Sequence, residues 1–234
     1  MGILVSTLYR FRSSVLSFRN LKVPVKGEHV SRTVWKHLWK GGYERPEIEA
    51  GLALIRPGDK VLELGTGMGI VSGVLAKSDA SIKIKTYEAN PSLASAINDL
   101  HKANGITNVE THNKVLLPPG MDQSTVTFNL HENFTEGSIE DVASVGSTEV
   151  EVEDFQAVFD AFLPDVMVCD IEGGEARLFE DISLNGLRAL VIELHPEIVS
   201  RSDIKRVYDV CLAAGLYPRV ELSDLQVEVF ERVD

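Results

Sequence analysis

From Lys60 onward the chain alternates short apolar runs with amphipathic stretches, and this alternation restricts the fold more than any other feature. The apolar runs at 61–64, 82–88, 109–113, 166–170 and 189–194 read as strands buried on both faces. The stretches at 69–77, 91–103, 153–161, 174–182 and 202–214 carry helical spacing. Strand and helix in turn predict an α/β fold, a mostly parallel sheet with helices on both faces. Two last runs, 216–221 and 226–231, are joined through Ser223 and Asp224 and predict a C-terminal antiparallel hairpin.

Two stretches stand outside this rhythm. Residues 115–152 contain alternating runs at 125–130 and 149–152, expected to form an antiparallel excursion or a lid over the carboxyl ends of the strands. At the start of the chain, Ile3, Leu4, Leu8, Phe11, Val15 and Phe18 fall at loosely helical spacing opposite Arg10, Arg12 and Arg19. That stripe would pack on the domain, on lipid, or on a second subunit to make a homo-oligomer. Ser31 is a natural N-cap for a short helix holding Trp35 and Trp39, which read as core anchors, and a further helix is expected over 46–55. With 234 residues, 44% of them hydrophobic, the chain suits one sizeable core. The expected division is a basic helical appendage over 1–45 and a catalytic domain over 46–234.

Charge narrows the partners. The first 40 residues hold eight Lys or Arg against Glu28 alone, so the remainder carries 15 basic and 34 acidic residues. Such a body repels phosphate backbones, which argues against nucleic acid. Arg10 and Arg12 interrupt any signal-peptide core, and no run reaches the ~20 apolar residues of a transmembrane helix. Cys169 and Cys211 lack CxxC spacing, which fits a reducing cytoplasm.

A binding site is written into residues 61–69, VLELGTGMG, where Gly65, Gly67 and Gly69 follow a strand and open a helix. Glycines there let the backbone turn tightly and approach a ligand, with free N–H groups facing it. Thr66 lies within the turn. A dinucleotide fingerprint would need glycine where Ile70 stands. Glu88, followed by Ala89 at the end of the next strand, is placed to accept both hydroxyls of a ribose, a role common to S-adenosylmethionine and NAD. Glu63 is a carboxylate inside an apolar strand, costly without a partner, and would orient the cationic end of the cofactor or pair with a base. Asn113, at the end of the third strand, falls near the adenine by topology.

The segments GGYERPE (41–47), VLELGTGMGIVS (61–72), YEANP (87–91), CDIEGGE (169–175) and VIELHP (191–196) resemble the FkbM-type methyltransferases over about residues 41–220. The resemblance implies a Rossmann-like class I methyltransferase with a seven-stranded sheet. It also implies S-adenosylmethionine as cofactor and methylation of hydroxyls on sugars, polyketides or similar metabolites. Many relatives carry Lys where this chain has Cys169.

Methyl transfer to an alcohol needs alignment and help in removing a proton. Asp170 and Glu193 close strands expected to be neighbours, with His195 two residues further on. His195 is the first candidate base, because an ordinary imidazole titrates near neutrality. Asp170 or Glu193 would orient it or hold the substrate hydroxyl. Glu172 is a further candidate, although it and Glu175 also suit the dipole of a helix first turn. The same carboxylates suit a divalent metal, without defining a coordination shell. The acceptor expected is a small molecule or glycan. Two other readings stay open: a NAD-dependent oxidoreductase, and a nucleoside-binding protein without turnover.

Overall fold

The computed structural model of the protein describes residues 9, 13–25, 30–130 and 146–233. A hairpin of β1 (Val15–Phe18) and β2 (Leu21–Pro24) comes first. Val15 and Phe18 therefore belong to a strand and not to the amphipathic helix expected of them. The reason is a long-range contact: the Asn104 side chain accepts the Lys22 N–H at 2.8 Å and donates to the Lys22 carbonyl at 2.9 Å. Leu21 and Val23 then point inward in strand alternation. Ile3, Leu4, Leu8 and Phe11, and with them the expected homo-oligomer contact, lie outside the described residues.

Two helices follow, α1 (Arg32–Lys40) and α2 (Arg45–Leu54). Ser31 caps α1 by accepting the Val34 N–H, and Gly41 closes it in the left-handed region at φ 76°. Trp35 is buried, whereas Trp39 stacks on it from the solvent side. Beyond them run β3 (Lys60–Leu64), α3 (Ile70–Ser78), β4 (Lys83–Tyr87), α4 (Ala94–Asn104) and β5 (Val109–His112). Three strands make a separate small sheet: β6 (Val115–Leu117), β7 (Thr125–Leu130) and β8 (Gly146–Asp154). The main alternation resumes with α5 (Phe155–Phe162), β9 (Val166–Cys169), α6 (Glu175–Leu178), β10 (Ala189–Glu193), α7 (Arg201–Ala213), β11 (Leu216–Pro218) and β12 (Val227–Arg232). The helix expected over 174–182 is confined to α6, which is capped at Phe179, and Asp181 beyond it takes a left-handed conformation at φ 51°.

The main sheet has seven strands in the order β5-β4-β3-β9-β10-β12-β11. Its first five strands pair in parallel, and β12 runs antiparallel to both β10 and β11. Alternate residues of each central strand enter opposite cores. Val61, Val166, Val168 and Val191 face the layer built by the N-terminal hairpin and α1 to α4. Leu62, Leu64, Met167 and Ile192 face the layer of α5 and α7. Such two-sided burial explains the continuous apolar runs of the sequence. Among the described residues, no helix is long and apolar enough to cross a membrane.

The amino ends of the strands are tied by Arg188, which donates to the Leu54 carbonyl at 3.0 Å and pairs with Asp59. Asp59 is itself buried and accepts the Arg56 N–H at 2.7 Å. Arg188→Ala leaves that carboxylate without its charge partner and should lower stability by about 2 kcal/mol, below the fully buried range. Urea unfolding of the variant measures this; an unchanged midpoint would contradict it.

Candidate functional site

The strand order reverses between β3 and β9, which opens a crevice at their carboxyl ends where open α/β sheets take ligands. Gly65 sits at that point with φ 82°, and a Cβ there would fall 1.5 Å from the Asp170 carbonyl oxygen. Only glycine permits this approach of the two strand ends. The Gly65 and Thr66 N–H groups donate to the Tyr87 carbonyl at 3.0 and 3.2 Å, bending the loop back over β4. Gly67 then donates its N–H to Glu88 Oε2 at 2.7 Å.

Glu88 is thereby fixed from two directions, since its Oε1 accepts the Asn90 N–H at 2.7 Å. A carboxylate has about four acceptor sites, so two N–H donors leave capacity toward the cleft that Glu88 lines. Burial pushes its pKa up to about 7, against the lowering effect of the Asn90 and Gly67 N–H groups. Asn113 donates to the Glu88 and Ala89 carbonyls at 2.7 and 3.0 Å. It holds the end of β4 in place, while Ala89 itself lines the cleft.

Three of the expected cofactor residues lie beneath the loop and not in the cleft lining. Glu63 is buried on the α3 side of the sheet, accepting the Ser72 N–H at 2.9 Å and the Thr86 hydroxyl at 2.5 Å. Burial raises its pKa, with Thr86 and Ser72 opposing. The Thr66 hydroxyl contacts Thr86 and donates to the Tyr87 carbonyl at 3.1 Å. Gly69 is the N-cap of α3, packed against Ile97 and Leu100. These residues build the platform for Gly65, Gly67 and Glu88.

The cleft opens over about 820 Å3, counting the solvent space at its mouth. The small sheet forms one wall through Val115, Leu116, Leu117 and Phe128. Its own core of Val115, Leu117, Val126, Phe128 and Val150 packs against Ala89. Glu153 of β8 accepts the Tyr87 hydroxyl at 3.0 Å and the Lys114 ammonium at 2.6 Å, tying that wall to β4.

Opposite Glu88, Asp170 and Glu172 line the cleft at the end of β9, with Glu44 close by. His195 lies behind them, 5% exposed. Its Nε2 is 3.3 Å from Glu172 and 3.7 Å from Asp170, and its Nδ1 is 3.3 Å from Glu175 Oε1. The imidazole thus stands one layer back, with carboxylates between it and the cleft. Burial opposes its charge, yet Glu175, Glu172 and Glu193 outweigh that and hold its pKa up at about 9. Asp170 is held well above the usual carboxylate range by burial, then by Glu193, Glu172, Glu44 and Glu47. Burial and the facing Glu193 carboxyl likewise raise Glu47 to about 7. Glu193, at the end of β10, therefore acts on the rim through Asp170 and Glu47.

Glu175 and Glu47 were not among the site residues drawn from the sequence. Glu175 is fully buried and accepts the Ile171 N–H at 3.2 Å. An acidic residue in a helix first turn ordinarily faces water, so only its spacing to Asp170 signalled this position. Tyr43 reaches the loop, its hydroxyl lying 4.0 Å from where a Gly67 Cβ would be, and Glu44 lines the same cleft.

Five parallel strands followed by an antiparallel hairpin inserted at the edge define a Rossmann-like class I methyltransferase fold. The dinucleotide arrangement instead continues in parallel to a sixth strand. No protein-family model matches the chain, and no curated protein matches it. Among solved structures, it is similar to a precorrin-6y methyltransferase from Geobacter metallireducens, with 10% identity, TM-score 0.45, and coverage of 82% of this chain and 89% of that one. A ribosomal-protein methylase from Lactobacillus delbrueckii subsp. bulgaricus gives 11% identity, TM-score 0.46, and coverage of 80% and 77%. A TehB-like SAM-dependent methyltransferase from Corynebacterium glutamicum gives 15% identity, TM-score 0.45, and coverage of 86% and 95%. Likeness at this level assigns no activity, and the chemistry has to come from the cleft.

Proposed function

We propose that the protein is an S-adenosylmethionine-dependent methyltransferase of the FkbM type, acting on a hydroxyl of a small metabolite, sugar or glycan. The observation that carries the reading is Glu88, held by the Gly67 and Asn90 N–H groups beside a glycine loop at the switch point of the sheet. The residues present suit an adenosyl group. Gly65 and Gly67 offer a backbone surface without side chains, Glu88 accepts the ribose hydroxyls, and Ala89 with the apolar wall of the small sheet covers the base. When bound, S-adenosylmethionine supplies a methyl group on a sulfonium.

The chain's own task is to hold the acceptor in line and receive its proton. Asp170 and Glu172 line the cleft, so they meet the acceptor hydroxyl, and the raised pKa of Asp170 makes it a stronger base than a solvated carboxylate. His195 supports them from behind, reaching both within 3.7 Å. Positioning of this kind lowers a barrier by up to ~7–11 kcal/mol.

Calorimetric titration tests the reading. S-adenosylmethionine and its demethylated product should bind, and NAD should not; the reverse order would overturn it. With a labelled methyl donor and fractionated metabolites as acceptors, His195→Ala should lower turnover by about 100-fold. Turnover equal to wild type would remove His195 from the mechanism.

A further inference from the structure

The cluster behind the cleft has more unpaired donor atoms than proton transfer needs. Asp170, Glu175 and His195 each offer one ligand atom, and these atoms all lie within 4.8 Å of one another. Glu175 is 0% exposed and His195 5% exposed. One oxygen of Glu175 accepts the Ile171 N–H, while its Oε2 has no hydrogen-bond partner among the described residues. The same is true of His195 Nδ1, whose contact with Glu175 lacks hydrogen-bond geometry, and of Asp170 Oδ1. A buried polar atom without a partner is costly, and two carboxylate oxygens and an imidazole nitrogen in that state in one place point to something that satisfies them together.

The geometry points to a divalent cation site formed by Asp170, Glu175 and His195. The ligands come from three different elements: the end of β9, the first turn of α6, and the turn after β10. That turn is itself fixed, because the His195 carbonyl accepts the Ile198 and Val199 N–H groups at 2.9 and 2.7 Å. Two carboxylate oxygens with one imidazole nitrogen suit an ion of the Mn2+ type, harder than those chosen by thiolates. Cys169 is not among these ligand atoms; its side chain packs in the apolar layer with Leu62 and Met167. Glu172 and Glu193 remain nearby to orient the ligands, as carboxylates commonly do around a metal. On the methyltransferase reading, the ion would ease loss of the acceptor's proton; binding of the ion itself does not depend on that reading.

The full-length protein, freed of metal by chelator and dialysis, is titrated with Mn2+ while the free-ion electron paramagnetic resonance signal is recorded. The expected result is loss of that signal to one equivalent per chain. Glu175→Gln, nearly isosteric, should weaken the binding at least tenfold, and the exposed Glu197→Gln should leave it unchanged. A wild-type chain that leaves the Mn2+ signal free overturns the site, as does a folded Glu175→Gln variant that binds like wild type. Should that variant not fold, selective broadening of the His195 imidazole resonances by Mn2+ in the wild type decides, and no broadening overturns the site. Donor binding is followed separately by calorimetry without metal, so failure of the cation site and failure of the methyltransferase reading are told apart.

Discussion

Gly65→Ala is expected to abolish S-adenosylmethionine binding and to destabilise the protein by about 3 kcal/mol or more. Two effects add. The left-handed backbone costs an L-residue about 1–2 kcal/mol, and the new methyl would lie 1.5 Å from the Asp170 carbonyl oxygen. That oxygen belongs to backbone next to β9, so the overlap is relieved only by prising the ends of β3 and β9 apart. Gly67→Ala is the control. It also has positive φ, at 53°, but its nearest neighbour is the Tyr43 hydroxyl at 4.0 Å. There only the backbone term applies, about 1 kcal/mol. Denaturant unfolding together with calorimetric titration separates the two variants. If both lose the same stability, the close approach at the switch point is not what selects glycine at position 65.

Glu88→Ala should weaken S-adenosylmethionine binding by about 100-fold or more. Two hydroxyl bonds to an ionised acceptor are worth about 1.5–3 kcal/mol each, and the variant also frees the Gly67 N–H. Calorimetry against wild type measures the loss, and equal affinity would contradict the ribose assignment. The pH dependence follows from the raised pKa of about 7, set by burial and opposed by the Asn90 and Gly67 N–H groups, with Glu63 adding a smaller increase. The acceptor form is the ionised one, so affinity should climb as pH rises through about 7 and fall below it. Stability moves the other way. The folded chain keeps this proton up to about pH 7, whereas the unfolded chain releases it near 4.5, so the Glu88 contribution declines as pH rises across that window. Glu88→Gln should remove both slopes.

The strands at the centre were legible because burial on both faces leaves an uninterrupted apolar signature. Expected and observed bounds of β3, β4, β5, β9 and β10 agree to within one residue at each end. The placement of Gly65, Gly67 and Glu88 along the cleft was legible for a different reason: it depends on neighbours close in sequence, a tight turn and a strand end. What escaped was decided at long range. The strand character of Val15–Phe18 depends on Asn104, 82 residues beyond Lys22. The partner of Glu63 is the Thr86 hydroxyl, and nothing near Glu63 in the chain announces it. Glu175 was masked by the ordinary preference of helix first turns for acids. Its burial against His195 follows only from the pairing of β9 with β10.

The ties from Glu153 to Tyr87 and Lys114 have a thermodynamic corollary. Tyr87 immediately precedes Glu88, the carboxylate proposed to hold the ribose, so an acceptor that draws the small sheet inward would also shift Glu88. Linkage makes this mutual: whatever factor the first guest adds to the second guest's affinity, the second must return to the first. The two substrates should therefore not bind as strangers, and a weak acceptor alone becomes a tighter one once the donor is seated.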